Sequence, residues 1–172
     1  MTNNIADIDN CKTMLIIGSN TTEQHPVIGT RIRRAVRKGA KLILADPRSI
    51  DLADIATVYV RQRPGTDIAF LNGLAHIILK EGLEDKEFIA NRTEGFDEWR
   101  KVVETRECAP ARVSEITGIA VDDLFTAARL YGGNKPSAIF YAMGITQHTT
   151  GHNNVLSIAN LAMLTGNIGK PG

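Results

Sequence analysis

The sequence predicts an α/β fold with an open, mainly parallel, Rossmann-like sheet flanked by helices. Two observations carry this expectation. Short apolar runs closed by turn residues alternate with longer helical patterns. The first two runs are joined through one helix in about 30 residues, the connection that parallel strands need. Composition agrees: of 172 residues, 43% are hydrophobic and 23% charged, the balance of one globular domain with a real core.

The elements follow in order. The run from Thr13 to Ile17, closed by Gly18, reads as a buried strand. Pro26 suits the first turn of a helix, and Ile28, Ile32, Ala35 and Val36 give it an apolar stripe as far as about Lys38. Gly39 follows as its expected cap. Lys41 to Ala45 is a second strand, closed by Asp46-Pro47, and Thr57 to Val60 a third. A helix starts near Thr66 and Asp67, with Leu71, Leu74, Ala75 and Ile78 on one face. Residues 84–131 change character and read as a helical insertion between strands, with Asp85 and Thr93 as N-caps, Pro110 near a helix start and Gly118 near a helix end. Ser137 to Tyr141 is a fourth strand, residues 144–151 a loop, and Asn153 to Leu164 a helix apolar around much of its circumference, expected to be buried. Residues 1–172 thus read as a single domain.

Several function classes are excluded early. Twenty basic residues balance nineteen acidic ones, so no global field favours nucleic acid or anionic lipid. The basic segment from Arg31 to Lys41 is the solvated face of the first helix. No apolar run is long enough to span a bilayer, and no cleavable signal is visible; a cytoplasmic location is the expectation, though not one drawn from the missing signal. Cys11 and Cys108 stand far apart and outside any C-x-x-C pattern, which argues against a zinc or iron–sulfur site here and reads as two free thiols. His25, His76, His148 and His152 show no metal-ligand spacing, and His76 reads as structural.

The chemistry gathers at the carboxyl ends of the strands, where open α/β sheets bind ligands. Gly18-Ser19-Asn20, Asp46-Pro47-Arg48, Pro64-Gly65-Thr66-Asp67 and Met143 to Gly151 all belong to that edge. Gly18 permits close approach to the backbone, and a following helix offers free N–H groups to a phosphate. Asn20 tolerates a left-handed turn and can both donate and accept. The dinucleotide fingerprint G-x-G-x-x-G is absent, because Asn20 and Glu23 stand where glycines belong. Asp46 ends the second strand, as a ribose-binding acid would, yet lies further than about 20 residues from Gly18. A nucleotide is indicated, but not an ordinary nicotinamide cofactor. Asp67 can accept two parallel hydrogen bonds from N1 and N2 of guanine, which adenine cannot offer.

Jointly, I-I-G-S-N, H-P-V-I-G-T-R-I-R-R-A, L-A-D-P-R, R-P-G-T-D, Y-A-M-G-I-T-Q-H-T-T-G and N-L-A-M-L-T-G-N-I-G-K-P-G resemble the molybdopterin oxidoreductase family, and within it formate dehydrogenase large subunits. The resemblance implies a domain gripping one of two pterin-guanine dinucleotides bound to molybdenum or tungsten. It implies Gly18 and Asn20 at phosphate and ribose, and Asp46 and Arg48 at ribose or phosphate oxygens. It places Asp67 at guanine, Gly65 among the cofactor-binding residues, and Met143, Gly144 and Gln147 toward the pterin. The family's iron–sulfur cysteines, its molybdenum ligand and an arginine segment following G-N-I-G-K-P-G have no counterpart here. The expectation is therefore a cofactor-binding piece of a longer enzyme, inactive alone, whose partners are the parent's other domains and electron-transfer subunits. The same domain of a nitrate reductase or a respiratory dehydrogenase subunit is the alternative, and a non-catalytic subunit-contact domain is another.

Overall fold

The computed structural model describes residues 3–171, so Gly172, the last residue of the G-N-I-G-K-P-G motif, lies outside the described residues. Four parallel strands form the sheet: β1 (Thr13–Ile17), β2 (Lys41–Ala45), β3 (Val58–Val60) and β4 (Ser137–Tyr141), in the order β3-β2-β1-β4. The chain moves outward from β1 to β3 and then returns to the far side of β1. That reversal puts a topological switch point between β1 and β4, where the loops leaving neighbouring strands part in opposite directions.

Side-chain alternation along the strands builds two cores. Leu15, Ile17, Ile43, Ala45, Val58 and Val60 face one layer, and Met14, Ile16, Leu42 and Leu44 face the other. The second layer is closed by α2 (Pro26–Arg37), through Ile32 and Ala35, and by 3-10 turns at Ile5–Asn10 and Asp51–Ile55. The first is larger. Its centre is α3 (Asp67–Lys80), buried along Phe70, Leu71, Leu74, Ala75, Ile77 and Ile78, against which α6 (Pro110–Thr117), α7 (Val121–Gly133) and α9 (Gly151–Leu164) pack. Between α3 and β4 the chain adds α4 (Lys86–Arg92) and α5 (Phe96–Val103) to α6 and α7, all within or next to residues 84–131, whereas α9 follows β4. His76 is buried within α3, its Nδ1 2.8 Å from the carbonyl of Val103, which is the structural role read from the sequence.

Local signals explain most boundaries. Asp85 caps α4 by accepting from the Phe88 amide at 2.9 Å, and Gly118 ends α6 at φ 79°. Thr93 is not an N-cap. It follows the end of α4, its hydroxyl donates back to the Ile89 carbonyl at 2.7 Å, and Gly95 at φ 67° starts α5 instead. β3 begins at Val58, because Thr57 uses its amide and hydroxyl to hold Leu42 of β2. The helix after Gly18 is divided: α1 (Thr21–Gln24) stops at His25, since the residue before Pro26 is driven out of helical backbone, and α2 starts afresh. Nor is α9 buried all round. Gly151, Asn154, Ser157, Ile158, Leu161 and Leu164 face inward, whereas Leu156 is 48% exposed, because no element among the described residues covers its outer side.

Both cysteines are free and buried. Burial, reinforced by the charge of Asp7, pushes the Cys11 thiol up to about 11. The folded chain therefore keeps a proton that the unfolded thiol loses first, so this group makes stability fall as pH rises from about 9 towards 11. Denaturant unfolding across that range should show a decline that Cys11→Ala lessens. Native alkylation of Cys11 at pH 8.5 should be about tenfold or more slower than in denaturant. Equal rates would refute the buried placement.

Candidate nucleotide site

The cavity at the switch point has a volume of 270 Å³, and all four expected segments reach it. Gly18 and Asn20 come from the end of β1, Asp46 and Arg48 from β2, Pro64 and Asp67 from the approach to α3, and Met143 and Gly144 from the end of β4. Gln24, Pro47, Gln62 and His148 complete the wall. Gly65 and Gln147 are exposed and do not line it; Gly65 serves the turn before α3 at φ 81°.

The floor is a contact between two glycines. Gly18, at φ 56°, carries the carbonyl that accepts from the Gly144 amide at 3.1 Å. A Cβ on Gly144 would lie 2.6 Å from the Gly18 oxygen, and one on Gly18 would lie 2.7 Å from the Gly144 carbonyl carbon. Neither position has room for a side chain. The left-handed residue of this turn is Gly18; Asn20, expected to tolerate that conformation, has φ −92°. Asn20 is buried, and its Oδ1 accepts from the Thr22 hydroxyl at 2.9 Å. The segment after Gly144, expected as a loop, begins with a helical turn, α8 (Met143–Thr146), whose Ile145 is anchored in the core. His148 Nε2 lies 2.8 Å from the Gly144 carbonyl. A carbonyl only accepts, so Nε2 carries the hydrogen of that bond.

Two carboxylates face the cavity under different constraints. Asp46, 4% exposed, folds back so that Oδ1 accepts from the Arg48 amide at 2.9 Å, an Asx turn that fixes the loop. The Arg48 side chain stays 69% exposed, with Nε 3.8 Å from the same oxygen, and remains available to an anion. Asp67 is 5% exposed at the first position of α3. It makes one side-chain hydrogen bond, from Gln62 Nε2 to Oδ1 at 3.1 Å, and no ion pair among the described residues. A carboxylate so placed calls for further N–H or O–H donors. At Asp67 the chain supplies two acceptor oxygens and a single side-chain donor.

Residues 1–172 match the molybdopterin oxidoreductase family over their whole length. The chain belongs to that family. Similar relatives include the F420-dependent formate dehydrogenase 1 subunit alpha of Methanococcus maripaludis, 50% identical over 172 residues, covering 100% of this chain and 25% of that protein. Formate dehydrogenase H of Escherichia coli is 44% identical over 171 residues, covering 99% of the chain and 24% of that protein. A nitrate reductase of Symbiobacterium thermophilum is 42% identical over 180 residues, covering 98% and 24%. Among solved structures, acetylene hydratase from Pelobacter acetylenicus superposes with a TM-score of 0.86 at 27% identity, over 96% of this chain and 24% of that one. This molybdopterin oxidoreductase chain thus spans about a quarter of the length of the curated relatives it matches. Among its described residues no helix is long and apolar enough to cross a membrane, and no cluster of His, Cys, Asp or Glu is placed to hold a metal ion.

The glycine floor gives the site its most exacting requirement. Gly144→Ala should force the β1 and β4 loops apart, at a cost of about 1–3 kcal/mol for inserting atoms into filled space. It should also abolish nucleotide binding. Gly65→Ala, strained at its turn but outside the cavity, should lower stability without removing binding. Chemical denaturation and calorimetric titration of both variants check this, and unimpaired binding by Gly144→Ala would contradict it.

Proposed function

We propose that this domain holds the guanine nucleotide half of a molybdopterin dinucleotide within a formate dehydrogenase that converts formate to carbon dioxide. The observation that carries the reading is Asp67: a buried carboxylate on the cavity wall that has, among the described residues, no cation and one side-chain donor. Guanine presents N1–H and the 2-amino group side by side, a pair of donors that meets this need.

In this reading Asp46 accepts from ribose hydroxyls, while Arg48 and the backbone at Gly18 and Asn20 meet ribose and phosphate oxygens. Gly65 shapes the turn that presents Asp67. Met143, Gly144 and Gln147 lie toward the pterin, with Gln147 on the exposed side of the α8 turn. When bound, the molybdenum- or tungsten-bearing pterin supplies the two-electron redox change, and an iron–sulfur cluster elsewhere in the parent would pass the electrons on. The residues present here bind and orient; they neither ligate metal nor move a proton. The formate assignment is supported by relatives of that name at 44% and 50% identity. A nitrate reductase parent is the second reading, supported by the relative at 42%.

Base choice tests the proposal. Adenine would set its N1 lone pair against the Asp67 carboxylate, and a polar partner lost at a built site costs about 1–3 kcal/mol. GDP should therefore bind more tightly than ADP by about tenfold or more. Asp67→Asn should erase most of that preference, and Asp46→Asn should weaken both nucleotides together. Calorimetric titration of the three proteins decides the matter. Equal affinity for GDP and ADP in the unaltered chain would overturn the assignment of Asp67.

A further inference from the structure

Gln62 carries no motif, yet it is the most deeply buried polar side chain on the cavity wall, at 2% exposure. It stands two residues beyond β3, wedged between the end of β2 and the first turn of α3. Its Nε2 donates to the Ala45 carbonyl at 3.3 Å and to Asp67 Oδ1 at 3.1 Å. Both neighbours are acceptors, so the amide has one workable orientation: turned over, it would set oxygen against two oxygens. Oε1 is then buried with no hydrogen-bond partner. An acceptor stranded in this way is costly. A leucine would fill the same space and leave no amide oxygen stranded, but it would take from the Asp67 carboxylate its one side-chain donor, so packing alone does not account for an amide here. What the amide does, and a leucine cannot, is hold the Asp67 carboxylate.

We infer that Gln62 is a positioning residue for base selection: its Nε2 fixes the Asp67 carboxylate so that a guanine edge, and not an adenine edge, is complementary to the cavity. The inference rests on the guanine reading of Asp67 above. Without the amide, the carboxylate could rotate toward the Arg48 or solvent side of the cavity and accept from either base's surroundings. Selectivity would fall although Asp67 itself is intact. A plain strut between β2 and α3 makes the opposite forecast: its loss lowers stability and weakens both nucleotides alike.

The test is calorimetric titration of the 172-residue chain with GDP and with ADP at about pH 5.5 and pH 8, for the unaltered chain, Gln62→Leu and Gln62→Glu, with thermal unfolding of each. Asp46, Arg48 and His148 line the same cavity, and both nucleotides carry phosphates, but these groups meet both nucleotides alike, so the GDP/ADP ratio cancels them. The unaltered chain should keep a ratio of about ten at both pH values. Gln62→Leu should drop it to about threefold or less, with ADP affinity within about twofold of the original. In Gln62→Glu the new carboxyl must share a proton with Asp67, as neighbouring buried carboxylates do. Its protonated form donates as Nε2 did. The ratio should therefore recover towards about ten at pH 5.5 and collapse at pH 8. If Gln62→Leu does not fold, the pH dependence of Gln62→Glu carries the test alone. Variants that melt earlier yet keep the original ratio at both pH values would overturn the inference and leave Gln62 a strut. Failure of the guanine reading shows itself separately, as a ratio near one in the unaltered chain.

Discussion

The backbone contact between Gly18 and Gly144 is the constraint on which the site depends. β1 and β4 are paired in parallel, so their carboxyl ends finish side by side. The loops that leave them must diverge, because the chain turns from β1 towards β2 and from β4 towards α9. Close contact at the point of divergence is possible only if neither residue carries a Cβ. The pair closes the bottom of the crevice, and the acids of β2 and α3 rise beside it. Wider spacing there would open the floor. Larger residues would fill it.

Around this floor the molecule separates support from recognition. Support comes from two apolar layers, one under α2 and one under α3, α6, α7 and α9, which leave the strand ends rigid. The proposed recognition falls to residues at the strand ends whose hydrogen-bonding capacity is only partly met within the protein. Asp46 spends one oxygen on its own turn; Asp67 receives a single amide donor. Buried acids with spare acceptors make a poor core and a good site for a ligand rich in N–H and O–H groups. The family to which the chain belongs is that of the molybdopterin oxidoreductases, and we propose this cavity as the place where part of such a cofactor is held.

Much of this was legible in the sequence, for identifiable reasons. Buried parallel strands read as unbroken apolar runs, so β1, β2 and β4 were delimited to the residue, and Asp85, Pro110 and Gly118 marked helix ends by local chemistry alone. Carboxyl-end placement brought Gly18, Asn20, Asp46, Arg48, Asp67, Met143 and Gly144 to one cavity. What local reading missed depends on distant partners. Thr93 had the right side chain for an N-cap, but its hydroxyl had a carbonyl one turn back to satisfy. Residues 143–146 carry no helical periodicity, and the turn there is held by Ile145 reaching the core. Gln62 gave no signal, because its meaning lies in Ala45 and Asp67, neighbours in space rather than in sequence. The one available hint was a polar residue close after an alternating strand, where solvent exposure is the ordinary expectation.

The central claim is that the β1–β4 crevice, and no other part of the surface, is a guanine nucleotide site. It is tested most directly by following backbone amide resonances of the isotope-labelled chain during titration with GDP. The largest shifts should fall in residues 18–24, 46–48, 62–67 and 143–148. The hollow at the opposite edge, walled by Asp9, Cys11, Lys12, Lys38 and Lys41, should stay unperturbed. Shifts concentrated at that lysine-rich edge, with residues 62–67 and 143–148 silent, would contradict the account.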